Sequence, residues 1–161
     1  MFDPARKNVP AYQGLRKEIL SKILRPRQLL DLGCNEGALA AALRSTFPAC
    51  ELWGIEINPA ALNRALPFLS HGFCLNLEDL AGLENALNGR RFDHIIAADV
   101  VEHVMDPCEL IRVLYEHLEP GGKIVVSVPN VAHWEIFCHL LRLNWPVRDR
   151  GIFDATHKRF L

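Results

Sequence analysis

Apolar and polar positions alternate along this chain in blocks that switch between two periods. Short, mainly apolar runs at 28–32, 51–55, 92–98 and 123–128 have the length of buried strands, the last of them β-branched. A weaker run, Phe73-Cys74-Leu75, supplies a short strand between the second and third of these. Leu15, Ile19, Leu20, Ile23 and Leu24 recur at helical spacing over 11–25, and Pro26 ends that helix. Further helices are predicted over 36–46, after Asn58-Pro59, from Asp106-Pro107 to about Leu118, and over 131–143. Asn58 and Asp106 each offer a capping side chain with a proline in the first turn. The segment after Leu75, rich in Asn, Glu and Gly, reads as a polar connection, and Glu119-Pro120-Gly121-Gly122 reads as a turn. Strands alternating with helices predict a doubly wound, mainly parallel α/β sheet.

Composition narrows this to one domain. The chain has 161 residues, half of them hydrophobic, enough for a single sizeable core, and no apolar run approaches the roughly 20 residues of a membrane span. Met1-Phe2-Asp3-Pro4-Ala5-Arg6 lacks the apolar core of a signal peptide, so a cytoplasmic location is expected. Five scattered cysteines without a Cys-x-x-Cys pair read as reduced core thiols. A formal net charge of −1 gives no general attraction to nucleic acid or anionic membranes.

Candidate chemistry centres on Leu29-Leu30-Asp31-Leu32-Gly33-Cys34-Asn35-Glu36-Gly37, where a buried strand ends in two spaced glycines before a helix. Ligands of parallel sheets bind at this edge. A dinucleotide fingerprint needs G-x-G-x-x-G, and Asn35 and Ala38 stand where the second and third glycines belong, which opposes a nicotinamide cofactor.

The order acid-x-Gly-x-Asn-x-Gly instead resembles the first motif of the class I S-adenosylmethionine-dependent methyltransferases, with Asn35 in place of their usual middle glycine. The resemblance extends over nearly the whole chain. It implies a Rossmann-like methyltransferase sheet of seven strands, of which five can be placed here, so either the chain is a truncated form of a longer protein, which is the expectation, or a partner subunit replaces the missing edge. A core over 28–130 is expected to bind the cofactor, with 1–27 as a helical segment packed on it and 131–161 as a helix and basic lid on the acceptor side. Asp31 would orient the methionine part of the cofactor, and Gly33, Asn35 and Gly37 would form the turn that approaches the cofactor closely. Glu56 would accept hydrogen bonds from both ribose hydroxyls, with Ile57 beside it. Asn76 and Leu77 would meet the adenine, and Asp99 completes the implied cofactor set.

Ala98-Asp99-Val100-Val101-Glu102-His103-Val104-Met105-Asp106-Pro107 resembles the Glu-His-x-x-Asp-Pro end of the fourth strand in many small-molecule methyltransferases. Three readings of His103 stay open. With Glu102 beside it, it is a catalytic candidate that takes a proton from an acceptor hydroxyl. It is also a metal-ligand candidate with Asp99, Glu102 and His157, an arrangement similar to that of ubiquinone-pathway O-methyltransferases. It is equally a polar residue on a loop lip. Ser127-Val128-Pro129-Asn130 and Gly151-Ile152-Phe153-Asp154-Ala155-Thr156-His157 resemble a subgroup found beside bacterial sugar and polysaccharide genes. Arg142, Arg148, Arg150, Lys158 and Arg159 could hold an anionic acceptor or form a solvated face, and Trp134 and Trp145 read as packing residues.

The expected function is methyl transfer from S-adenosylmethionine to oxygen or nitrogen of a small acceptor, a sugar or nucleotide sugar among the candidates. The expected assembly is a monomer or homodimer, without nucleic-acid or membrane partners. A metal-assisted O-methyltransferase and a non-catalytic cofactor-binding module are the alternatives.

Overall fold

The computed structural model describes residues 17–148 and 151–158. Five parallel strands, β1 (Gln28–Leu32), β2 (Glu51–Glu56), β3 (His71–Cys74), β4 (Phe92–Ala98) and β5 (Leu118–Ser127), form one sheet in the order β3-β2-β1-β4-β5. The order reverses at β1, which pairs with both β2 and β4. Such a switch point opens a crevice at the carboxyl ends of the strands.

Successive residues of β1 serve opposite faces, which is why Leu29, Leu30 and Leu32 are all apolar. Leu30 and Leu32 join Trp53, Ile55, Ile95 and Ala97 on one face, under Leu83 and Leu87 of α4 (Leu80–Leu87) and Leu110, Val113 and Leu114 of α5 (Pro107–Glu116). Leu29 joins Leu52 and Ile96 on the other, under Ile19 of α1 (Lys17–Leu20) and Leu43 of α2 (Ala38–Thr46). The helix α3 (Pro59–Ala65) starts as the sequence predicts: Asn58 Oδ1 accepts from the amides of Ala60 and Ala61. Asp106 Oδ1 likewise accepts from the Glu109 amide to open α5.

Several expectations need correction. The leading helix is shorter than 11–25 within the described residues, its assigned turn ending at Leu20, although Ile23 remains buried; residues 11–16 lie outside them. The polar connection after Leu75 contains α4, capped by Asp79, whose Oδ1 accepts from the Gly82 amide. Glu119-Pro120-Gly121-Gly122 does not precede the last strand but bulges within it. Phe92 pairs with Leu118 and His94 with Lys123, so four residues of β5 oppose one of β4. Of the five cysteines, all unpaired with one another, Cys34 and Cys50 are core thiols, whereas Cys74 and Cys108 are exposed. Trp134, on α6 (Trp134–Leu141), is 69% exposed rather than packed. No helix among the described residues is long and apolar enough to cross a membrane.

Candidate active site

The glycine loop leaves β1 with its backbone already committed. The amides of Gly33 and Cys34 donate to Ile55 O at 2.8 and 3.0 Å, tying the turn to β2. Gly33, Asn35 and Gly37 all have positive φ, 67°, 49° and 81°. Asn is among the residues that tolerate this region, so it serves where a glycine is usual. Gly37 tolerates no side chain, because a Cβ there would lie 2.7 Å from Ala65 Cα on α3.

Glu56 closes the loop from the end of β2. Its Oε2 accepts from the Asn35 amide at 3.0 Å, and its Oε1 accepts from the Asn58 amide at 2.9 Å. One carboxylate thus bridges the loops that follow β1 and β2, and each oxygen keeps acceptor capacity for a further donor. Ile57, next along, is 57% exposed at the same edge. Asp31 is buried in β1, and burial together with the charges of Asp31 and Glu56 pushes the Cys34 thiol far above its ordinary range. Asn76 is exposed, and its Oδ1 accepts from the Glu78 amide, folding a turn beside Leu77.

The end of β4 carries the second group. Asp99 is left-handed at φ 52°, and its Oδ1 accepts from Ser127 Oγ at 2.8 Å while its amide donates to Ser127 O at 3.1 Å. Asp99 and Ser127 line a cleft of about 410 Å3 with Glu18, Ile19, Pro129 and Ile152. A second cavity, of about 320 Å3, lies at the amino ends of the strands around Asp93, His94 and Lys123, on the opposite edge from the glycine loop.

Glu102, His103 and His157 offer ligand atoms that all lie within 4.8 Å of one another. Asp99 is outside that group, which corrects the four-residue metal set to three. His157 Nε2 stands 3.9 Å from Glu102 Oε1, both side chains being almost fully buried, and the two imidazoles meet edge to face at 4.9 Å. The loop bearing His157 is latched to β4's end: the Lys158 amide donates to Glu102 O at 2.8 Å, and Lys158 Nζ pairs with Glu78. Arg148 pairs with Glu135 at 2.8 Å and lies over the Phe153 ring, and Arg142 is exposed. Arg150 and Arg159 lie outside the described residues.

A model of the methyltransferase domain matches residues 5–159. The chain belongs to this family. Its sheet is the Rossmann-like sheet of the class I S-adenosylmethionine-dependent enzymes, and the dinucleotide alternative falls with that. The domain is 32% identical over 105 residues to a ubiquinone biosynthesis O-methyltransferase of Colwellia psychrerythraea, covering 64% of this chain and 42% of the relative. It is 29% identical over 159 residues to a trans-aconitate 2-methyltransferase of Escherichia coli, covering 95% of this chain and 60% of the relative. A solved plantazolicin methyltransferase, BpumL, in complex with a pentazolic desmethylPZN analog and SAH, shares the fold: TM-score 0.61 and 20% identity, over 77% of this chain and 46% of that one. The chain spans about half the length of the curated relatives it matches.

Ser127 and Thr156, which the sequence motifs include without a site role, contact candidates directly. Ser127 pairs with Asp99, and Thr156 with His103. The signal for Ser127 was its place at the end of β5, in register with Ala98.

Proposed function

We propose that this domain binds S-adenosylmethionine at the β1–β2 edge and transfers its methyl group to an oxygen of a small hydroxylated acceptor. The observation that carries the reading is the Glu56 carboxylate, held between two loop amides with acceptor capacity left for two vicinal hydroxyls. The positive-φ backbone of Gly33, Asn35 and Gly37 allows close approach of a ligand to the loop, and exposed Ile57 offers an apolar face to the adenine ring. Asp31, Asn76, Leu77 and Asp99 complete the proposed contacts.

The cofactor supplies a sulfonium-bound methyl group, which forms a bond to the acceptor oxygen as its bond to sulfur breaks, the thioether keeping the electron pair. The residues supply alignment and take away the acceptor's proton, which passes to the unprotonated nitrogen of His103. Glu102 is buried beside it, and when ionised its carboxylate favours the imidazolium that results. The acceptor is a small molecule reaching the cleft beside Asp99 and Ser127; sugars, nucleotide sugars and, from the name of a relative, hydroxylated precursors of ubiquinone are the candidates to try first.

The convergence of Glu102, His103 and His157 favours a second reading, in which these three hold a divalent cation that acidifies the acceptor hydroxyl. Exhaustive dialysis against a chelator separates the two: turnover survives under the first and is lost, then restored by the cation, under the second.

Calorimetric titration of the dialysed chain with S-adenosylmethionine and, separately, NAD tests the cofactor reading. Saturable binding of the sulfonium compound alone, weakened in Glu56→Ala, is expected. Absence of binding, or equal binding by the variant, overturns it.

A further inference from the structure

His103 meets the loop that closes over it 53 residues later through its Nδ1 nitrogen. That nitrogen lies 3.2 Å from the Thr156 carbonyl oxygen and 3.1 Å from Thr156 Oγ1. A carbonyl oxygen can only accept, so a hydrogen bond there requires a hydrogen on Nδ1. The hydroxyl leads to the same requirement. Thr156 Oγ1 donates its single hydrogen to Asp154 Oδ1 at 2.6 Å, so toward His103 it has only lone pairs to offer. Two acceptors therefore converge on one ring nitrogen.

Asp154 sets this geometry. Its Oδ1 also accepts from the Thr156 amide at 2.8 Å, so the same carboxylate orients both the backbone and the hydroxyl of Thr156. The His157 amide donates to Asp154 O at 3.1 Å, and the Lys158 amide reaches Glu102 O at 2.8 Å, so the turn is fastened to the β4 end immediately beside His103.

We propose that Thr156, seated by Asp154, is a positioning residue that holds neutral His103 as its Nδ1–H tautomer and leaves the lone pair on Nε2. The functional value of the tautomer rests on the reading of His103 as the proton acceptor, since only a ring nitrogen with a lone pair can take the acceptor's proton. The same lone pair would serve a cation, because a ligating histidine donates its other N–H to an oxygen.

The test is a two-bond proton–nitrogen correlation spectrum of the chain carrying 15N-labelled histidine, recorded at a pH where the ring is neutral, with the His103 signals assigned by their disappearance in His103→Gln. The expected result is one pyrrole-like nitrogen at Nδ1 and one pyridine-like nitrogen at Nε2, retained in Thr156→Ser and in Thr156→Ala, which keeps the carbonyl acceptor, and averaged toward a tautomer mixture in Asp154→Ala, which loses the seat of that carbonyl. An Nε2–H or averaged spectrum in the unsubstituted chain overturns the proposal, whether or not the variants fold. An unchanged tautomer in a folded Asp154→Ala overturns the role given to Asp154. The parent reading fails separately: if S-adenosylmethionine does not bind in the calorimeter the function is wrong, and if His103→Ala methylates an acceptor at full rate the proton-acceptor role is wrong, while the spectrum still reports the tautomer.

Discussion

The Glu56 carboxylate accepts a 3.0 Å hydrogen bond from the backbone amide of Asn35, 21 residues earlier. The acid proposed to bind the ribose is thus also the clasp that holds the glycine loop. Replacing it with alanine removes charge-assisted bonds worth about 1.5–3 kcal/mol each, so S-adenosylmethionine affinity should fall by roughly 10- to 100-fold or more. Glu56→Gln retains an acceptor oxygen and should lose less. Titration calorimetry ranks the two variants.

Gly37→Ala should destabilise the domain by about 1–3 kcal/mol, because the new methyl carbon meets Ala65 on α3 and φ is 81°. Gly121 also has positive φ, 79°, but no atom lies within 4 Å of its hypothetical Cβ. Gly121→Ala therefore carries only the backbone strain and should cost less. Urea unfolding of both variants isolates the steric part.

Ser127 holds Asp99 from two directions, through its hydroxyl and its carbonyl. Ser127→Ala should cost roughly 1–2 kcal/mol by leaving a partly buried carboxylate short of a donor. Coupling should appear in a double-mutant cycle: Ser127→Ala should cost much less in an Asp99→Ala background.

Thiol chemistry should divide the cysteines. Cys74 and Cys108 should react with a disulfide reagent in the native state at pH 8, whereas Cys34 and Cys50 should react only on unfolding. Burial, reinforced by Asp93, pushes the Cys50 thiol up to about 11 from an ordinary 9.0. The unfolded chain therefore loses this proton first as pH rises, and the contribution of Cys50 to stability declines between about 9 and about 11. Alkaline urea titrations of Cys50→Ala against the unsubstituted chain should show a shallower decline for the variant.

Local signals in the sequence were faithful where the structure is local. Asn58-Pro59 and Asp106-Pro107 start helices because one side chain and one proline are sufficient. The central strands were legible because burial on both faces leaves a continuous apolar run. The helix α4 was hidden by the polar residues before it and by Gly82 in its first turn, although Leu80, Leu83 and Leu87 carry its spacing. Pro120-Gly121-Gly122 looks like a strand boundary, but pairing to β4 resumes beyond it and absorbs it as a bulge. The site divides the same way. Glu56 and the glycine loop sit where strand ends put them, whereas the meeting of His103 with Thr156 and His157 depends on a loop returning from more than 50 residues away. No periodicity encodes such a return; only the resemblance placed His157 near His103. Trp134 shows the converse, an aromatic whose helix turns it outward.

The switch in strand order also sets a timetable. The strand β1 is made early and finds β2 after a short crossover, yet its other neighbour, β4, joins Leu29 to His94 only once 65 more residues exist. On a ribosome adding about 5–20 residues per second, the glycine loop waits several seconds with one flank of its strand bare. Ligand binding by a nascent chain is therefore delayed until β4 has emerged and docked, and a rare-codon pause placed between β2 and β4 should lengthen that vulnerable interval in proportion.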